Sequence, residues 1–189
     1  MHLNYLKFFC FIDQFDKNLI KNLTKNVIII YRNYSSKDHL KTIISIKKYC
    51  KKKGLKFYIS NNFKLAIKLD LDGVYIPAFN KNLSLNVYNY KKKFCVIGSA
   101  HSLKEIRNKE IQGVKTIFIS PVFPNKKTKT NLGIYRFSSI KKLTNKNVVC
   151  LGGVKKENLK ILKHLNIYGI ASISLFRWKI NYIKQRWKN

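Results

Sequence analysis

The chain has 189 residues, enough for one well-buried domain and short of two comfortable ones. A hydrophobic content of 46% with 13% aromatics excludes a disordered chain, even though the formal net charge is +31. That charge invites a nucleic-acid partner. However, the basic residues are spread along the chain, as in Lys47-Lys48, Lys91 to Lys93 and Lys155-Lys156, and read mostly as solvated helix faces and loops.

In chain order, one pattern repeats: a short apolar run, a turn, then an amphipathic stretch. Leu6 to Ile12 is the first strand candidate, and its apolar core is stopped by Asp13 before it reaches the length of a signal-peptide core. No apolar run approaches a membrane span, so the expectation is a soluble, unprocessed, cytoplasmic protein. Val27 to Tyr31 is the second strand, continuously apolar as befits a strand buried on both faces. Ser35-Ser36 can cap a helix from Lys37 to Lys53, stopped by Gly54. Leu55 to Ile59 is the third strand, followed by a short helix around Phe63 to Leu69, and Gly73 to Ile76 is the fourth, ended by Pro77.

The segment Asn80 to Lys93 reads as a loop with at most one helical turn. Phe94 to Gly98 is the fifth strand, and Ser102 or Ala100 starts a helix through Glu110 with Gly113 behind it. Thr116 to Ser120 is the sixth strand. Asn147 to Leu151 is the seventh, closed by Gly152-Gly153 and followed by a helix from Lys156 to Leu165. Gly169 to Leu175 is the eighth, and Trp178 to Trp187 can form a closing helix against the first strand. Strand and helix alternating with short links imply parallel strands and right-handed crossovers. Eight such units predict a single-domain α/β protein, a (β/α)8 TIM barrel over residues 1–189, with an open doubly wound sheet as the alternative.

The four cysteines, Cys10, Cys50, Cys95 and Cys150, show no metal-ligand spacing, and three fall in apolar strand-like runs. This points to a reducing compartment and no structural zinc. In a barrel, residues just past the C-terminal strand ends build the site. Here those ends carry Arg32, Ser60-Asn61-Asn62, Asn80, Ser99-Ala100-His101, Ser120 with the Asn125 to Lys129 loop, Gly152-Gly153 and Ser172/Ser174. Donors and cations with almost no carboxylates suit phosphorylated or pyrophosphorylated ligands. Gly152-Gly153 reads equally as a tight turn or as backbone approaching a phosphate. His101 reads either as a satisfied histidine or as an acid/base group.

The run Ile119-Ser120-Pro121-Val122-Phe123-Pro124, followed by Thr128-Lys129, resembles the thiamine phosphate synthase and TenI family. Tyr31-Arg32, Leu71-Asp72-Gly73-Val74-Tyr75-Ile76, Ser99-Ala100-His101-Ser102, Leu151-Gly152-Gly153-Val154 and Ala171-Ser172-Ile173-Ser174 extend that resemblance in register. It implies a thiamine-biosynthesis protein, a divergent synthase that joins hydroxymethylpyrimidine diphosphate to thiazole phosphate and releases diphosphate. Carried over, Arg32, Ser99, Thr128 and Lys129 would bind the diphosphate, and Gly152, Gly153 and Ser174 the thiazole phosphate. Ser99 and His101 would be catalytic.

The family's magnesium aspartates align with Asn61 and Asn80, so the resemblance brings Mg2+ to two degenerate positions. Its glutamine and lysine flanking the arginine align with Ile30 and Tyr34, and the glutamine before the second aspartate aligns with Ala78. Two other readings stand beside the synthase: a TenI-type thiazole tautomerase using His101, and a non-catalytic barrel binding a phosphate ligand or RNA. Phosphorylated small molecules are the expected partners, with no membrane and with a homo-oligomer left open.

Overall fold

The computed structural model describes residues 6–35, 39–84, 88–125, 128, 130–172 and 175–177. Runs rich in Phe, Ile and Val make the strands, because branched and aromatic side chains pack well on a pleated surface buried on both sides. They are β1 (Lys7–Ile12), β2 (Val27–Tyr31), β3 (Phe57–Ser60), β4 (Gly73–Ile76), β5 (Cys95–Ala100), β6 (Thr116–Ile119), β7 (Asn147–Leu151) and β8 (Gly169–Ser172). Each pairs in parallel with its sequence neighbour, and β1 pairs with β8, Phe8 facing Ile170, to close the barrel. The predicted α/β barrel is the observed one. β2, β4 and β7 match their expected bounds, whereas β3 and β5 run further toward the mouth. β8 ends at Ser172, and Leu175–Arg177 is a turn of 3-10 helix rather than the strand's last residues.

Between the strands lie α1 (Lys17–Lys21), α2 (His39–Lys53), α3 (Phe63–Lys68), α4 (Leu103–Ile111), α5 (Gly133–Lys141) and α6 (Leu159–Lys163). Side-chain caps start three of them: Asp16 accepts from Leu19 N–H, Asn62 from Leu65 N–H, and Ser102 from Glu105 N–H. The expected helix from Lys156 to Leu165 is split, with a 3-10 turn over Lys156–Asn158 preceding α6. α1 and α5 lie in segments with no predicted helix. Ser36 and the stretch Trp178 to Trp187 fall outside the described residues.

Inside the barrel, Phe9, Phe11, Tyr75 and Phe118 interlock edge to face, with ring centroids 4.8 to 6.1 Å apart. A second apolar layer, including Cys10, Ile29, Val74, Ile117 and Ile170, faces the helices. The four thiols form no disulfide with one another. As expected, no α-helix among the described residues links β4 to β5. Instead the connection lays aromatic side chains over α3. Tyr88 stacks on Phe63 at 5.1 Å, and Tyr90 and Phe94 meet at 5.1 Å beside it. No described helix is long and apolar enough to cross a membrane.

Candidate active site

Arg32 follows β2, and its N–H donates to Ile12 O at 2.8 Å, which fixes the backbone at the barrel mouth. Its guanidinium lies 4.8 Å from the centre of the Phe11 ring, a cation–π contact with the top of the barrel core. Tyr75 rises from β4 beside it, its ring 5.2 Å from that of Phe11, and its phenol lies close enough to the Arg32 and Ser99 side chains for both to act on its ionisation. Burial pushes the Tyr75 phenol up to about 12, although the Ser99 hydroxyl and the Arg32 guanidinium act the other way. Ser99 is buried and reaches this cluster from β5. A fixed cation, a neutral phenol and a hydroxyl thus converge on one side of the mouth, an arrangement suited to the oxygens of an anion.

On the same rim, after β3 and β4, Asn80 Nδ2 donates to Asn61 Oδ1 at 2.6 Å. Asn61 holds a positive φ of 60°, which asparagine tolerates better than most side chains. Asn80 Oδ1 accepts from Asn82 N–H at 2.9 Å. These two positions do not fit magnesium. The donors are neutral amides, and both amide oxygens are already hydrogen-bonded within the protein. Among the described residues no group of three His, Cys, Asp or Glu side chains stands close enough to hold a metal ion.

Behind Asn80 lies a feature hidden in the sequence. Lys109 of α4 is 1% exposed, and its ammonium donates to Asn80 O at 2.8 Å and to Gln112 Oε1 at 2.8 Å. Gln112 Nε2 donates to Asn80 O and Asn82 O. Gly98 makes room for the lysine stem, since a Cβ there would lie 3.1 Å from Lys109 Cδ. Burial pushes the Lys109 ammonium down to about 8, with Glu105 pulling the other way. In sequence, Lys109 sits among charged residues and reads as solvated surface. Only the helix phase that also buries Ile106 turns it inward.

His101 is exposed at the mouth, and its Nδ1 stands 2.7 Å from Ser120 O. A carbonyl only accepts, so Nδ1 carries the proton and Nε2 is the nitrogen left to exchange one. The His101 backbone N–H donates to Glu105 Oε2 at 2.6 Å.

Gly152 and Gly153 have positive φ, 87° and 66°. A Cβ on Gly152 would lie 2.8 Å from Pro121 Cα, and one on Gly153 would lie 2.3 Å from Phe123 O. The chain after β7 therefore packs against the loop after β6, which by itself accounts for both glycines. Asn125 and Thr128 fold that loop on itself, with Thr128 N–H donating to Asn125 Oδ1 at 3.0 Å. Among the described residues, the hydrogen bonds of Thr128 stay inside the loop, and nothing joins it to Arg32 or Ser99. Ser172 Oγ accepts from Leu175 N–H at 3.1 Å. Lys126, Lys127, Lys129 and Ser174 lie outside the described residues.

The sequence profile of the TMP-TENI family, described as thiamine monophosphate synthase, matches residues 13–176. The chain belongs to this family. It is 31% identical over 147 residues to a thiamine-phosphate synthase of Prochlorococcus marinus subsp. pastoris; that match takes in 76% of this chain but only 42% of the longer relative. A thiamine-phosphate synthase of Fusobacterium nucleatum is 25% identical over 158 residues, covering 82% of this chain and 76% of that protein. The fold matches a thiamine phosphate pyrophosphorylase from Pyrococcus furiosus with a TM-score of 0.76, at 17% identity over 98% of this chain and 96% of that one. These comparisons agree with the resemblance carried by the short motifs. Phe11, Tyr75 and Lys109 were missed as site residues. A tyrosine two residues before Pro77, inside a fourth strand, was the available signal for Tyr75.

Proposed function

We propose that the chain is a divergent thiamine-phosphate synthase, joining hydroxymethylpyrimidine diphosphate and thiazole phosphate with release of diphosphate. The observation that carries this reading is the Arg32–Tyr75–Ser99 cluster at the mouth of a barrel of this family. In the reaction the bond between the pyrimidine methylene carbon and the diphosphate oxygen breaks, and diphosphate leaves with the electron pair. The thiazole nitrogen then donates its lone pair to the carbon. Arg32 offsets the charge that grows on the departing oxygens, and Ser99 and Tyr75 orient them. Thr128 and Lys129 are assigned to the same diphosphate, and Gly152, Gly153 and Ser174 to the thiazole phosphate. Pure protein incubated with both substrates, with and without magnesium, should yield thiamine phosphate. No product under either condition would end the synthase reading.

A second reading rests on His101. With Nδ1 fixed on Ser120 O, Nε2 faces the task of taking and returning a proton, as a thiazole tautomerase requires. Tautomerisation of thiazole phosphate without consumption of the pyrimidine diphosphate would select it.

A further inference from the structure

Lysine stands at the entry of strand after strand, at the end of the barrel opposite the mouth. Lys7 opens β1, and Lys56, Lys115 and Lys146 immediately precede β3, β6 and β7. Lys25 and Lys93 stand just before β2 and β5. Backbone hydrogen bonds set these entries side by side. Lys7 N–H donates to Tyr168 O at 3.0 Å, Ile29 N–H to Lys56 O at 2.9 Å, and Asn147 N–H to Lys115 O at 3.3 Å. All of these lysine side chains are exposed, and none forms an ion pair among the described residues. The carboxylates at this end are engaged elsewhere: Asp70 with Lys91 at 2.7 Å, Asp72 with Phe57 N–H at 2.9 Å, and Glu110 with Arg107 at 2.7 Å.

Lysines in the last turn of a helix, such as Lys21, Lys68 and Lys141, offset the helix dipole. Strand entries have no comparable dipole to offset. The rim of an eight-stranded barrel advances about 6 Å per strand, inside the Debye length of about 8 Å at physiological salt. The ring of cations therefore repels itself, and a partner carrying a row of negative charges relieves it. Beside Lys7 stands Tyr168, which packs on the floor of the inner aromatic cluster and stays partly open to solvent. An aromatic side chain among cations suits a stacked base. The lysines sit on separate short links and not along one amphipathic helix, the usual form of a lipid-binding surface.

We propose that the strand-entry face of the barrel binds single-stranded nucleic acid, its phosphates following the lysine ring and a base stacking on Tyr168. This second surface lies opposite the mouth and does not depend on the function proposed there.

The test measures fluorescence anisotropy of a short labelled oligoadenylate with the full chain over a range of salt. In Lys7→Gln/Lys115→Gln/Lys146→Gln, affinity at about 0.1 M salt should fall about 100-fold and the salt slope by about 2, as three lost phosphate contacts imply. A control, Lys41→Gln/Lys64→Gln/Lys160→Gln, removes the same charge from exposed positions in the first turns of α2, α3 and α6. It should weaken binding less than about threefold, because those charges are screened from the opposite face. Tyr168→Leu should cost about tenfold with the salt slope unchanged, and Tyr168→Phe should retain affinity. Thermal unfolding scans check that each variant is folded, and the lysine variants decide the matter if Tyr168→Leu is not. Equal losses in the two lysine triples overturn the proposal, as does duplex bound as tightly as single strand. Binding to phosphatidylserine vesicles without binding to the oligonucleotide overturns it in favour of a lipid surface.

Discussion

Lys109→Met tests whether the buried ammonium is as perturbed as its surroundings imply. The lysine is sealed between α4 and β5, with Asn80 O and Gln112 Oε1 as its hydrogen-bond acceptors, and burial lowers its pKa from 10.5 to about 8. Between those two values the unfolded chain holds a proton that the folded protein has released, so stability from this group rises with pH. Below about 8 the full penalty of a buried charge is present, about 3 kcal/mol, and it is relieved as the pH climbs toward 10.5. Methionine fills a similar volume without a charge and lacks this dependence. Its loss of the bonds to Asn80 and Gln112 adds an offset that is independent of pH, because Gln112 still holds Asn80 O.

The assay is urea unfolding of both proteins at several values between pH 7.5 and pH 10. In the unfolded chain other groups also titrate toward this range, including Tyr75 and Cys50, which folding raises to about 12, but they are present in both proteins and cancel in the difference. Wild-type stability minus variant stability should rise by about 2 kcal/mol across the range. A flat difference would refute the reasoning and show that the folded protein holds this proton as tightly as water does.

Three further outcomes follow from the geometry. Arg32→Ala removes the guanidinium from Phe11 and Tyr75, and diphosphate affinity measured by calorimetry should fall about 10- to 100-fold. Restoring carboxylates with Asn61→Asp/Asn80→Asp breaks the amide pair and should raise magnesium affinity at least about tenfold, together with any synthase rate. If His101 instead serves a tautomerase, those changes leave turnover flat and His101→Ala abolishes it. Gly153→Ala forces a Cβ to within 2.3 Å of Phe123 O and 2.5 Å of Pro124 O at positive φ. It should destabilise by about 3 kcal/mol, seen as a melting temperature lower by roughly 10 °C.

The barrel was legible because its strands are apolar throughout and its links are short. Val27 to Tyr31 and Asn147 to Leu151 announce themselves by composition alone. The same property hides the interior. In a strand buried on both faces, alternation does not separate the side chains inside the barrel from those under the helices. Tyr75 and its neighbours Val74 and Ile76 read alike, yet Tyr75 meets Arg32 and Ser99 while the others face outward. α5 opens at Gly133 with no side-chain cap, and α1, although capped by Asp16, is five residues long and too short to show a full apolar stripe. Strand-end residues such as Arg32, Asn61, Asn80 and His101 were readable from position. Their pairings depend on which loops the closed barrel brings side by side.

The aromatic strap between β4 and β5 also bears on how the molecule opens. Helices hold themselves by internal hydrogen bonds, whereas this segment is held by ring contacts with Phe63 and by the Lys109–Gln112 grip on Asn80 and Asn82. A segment held in this way is expected to open locally at a free energy below that of the whole barrel. Detachment would draw Asn80 away from Asn61, so order at the mouth and protection of the strap amides from hydrogen exchange should rise and fall together.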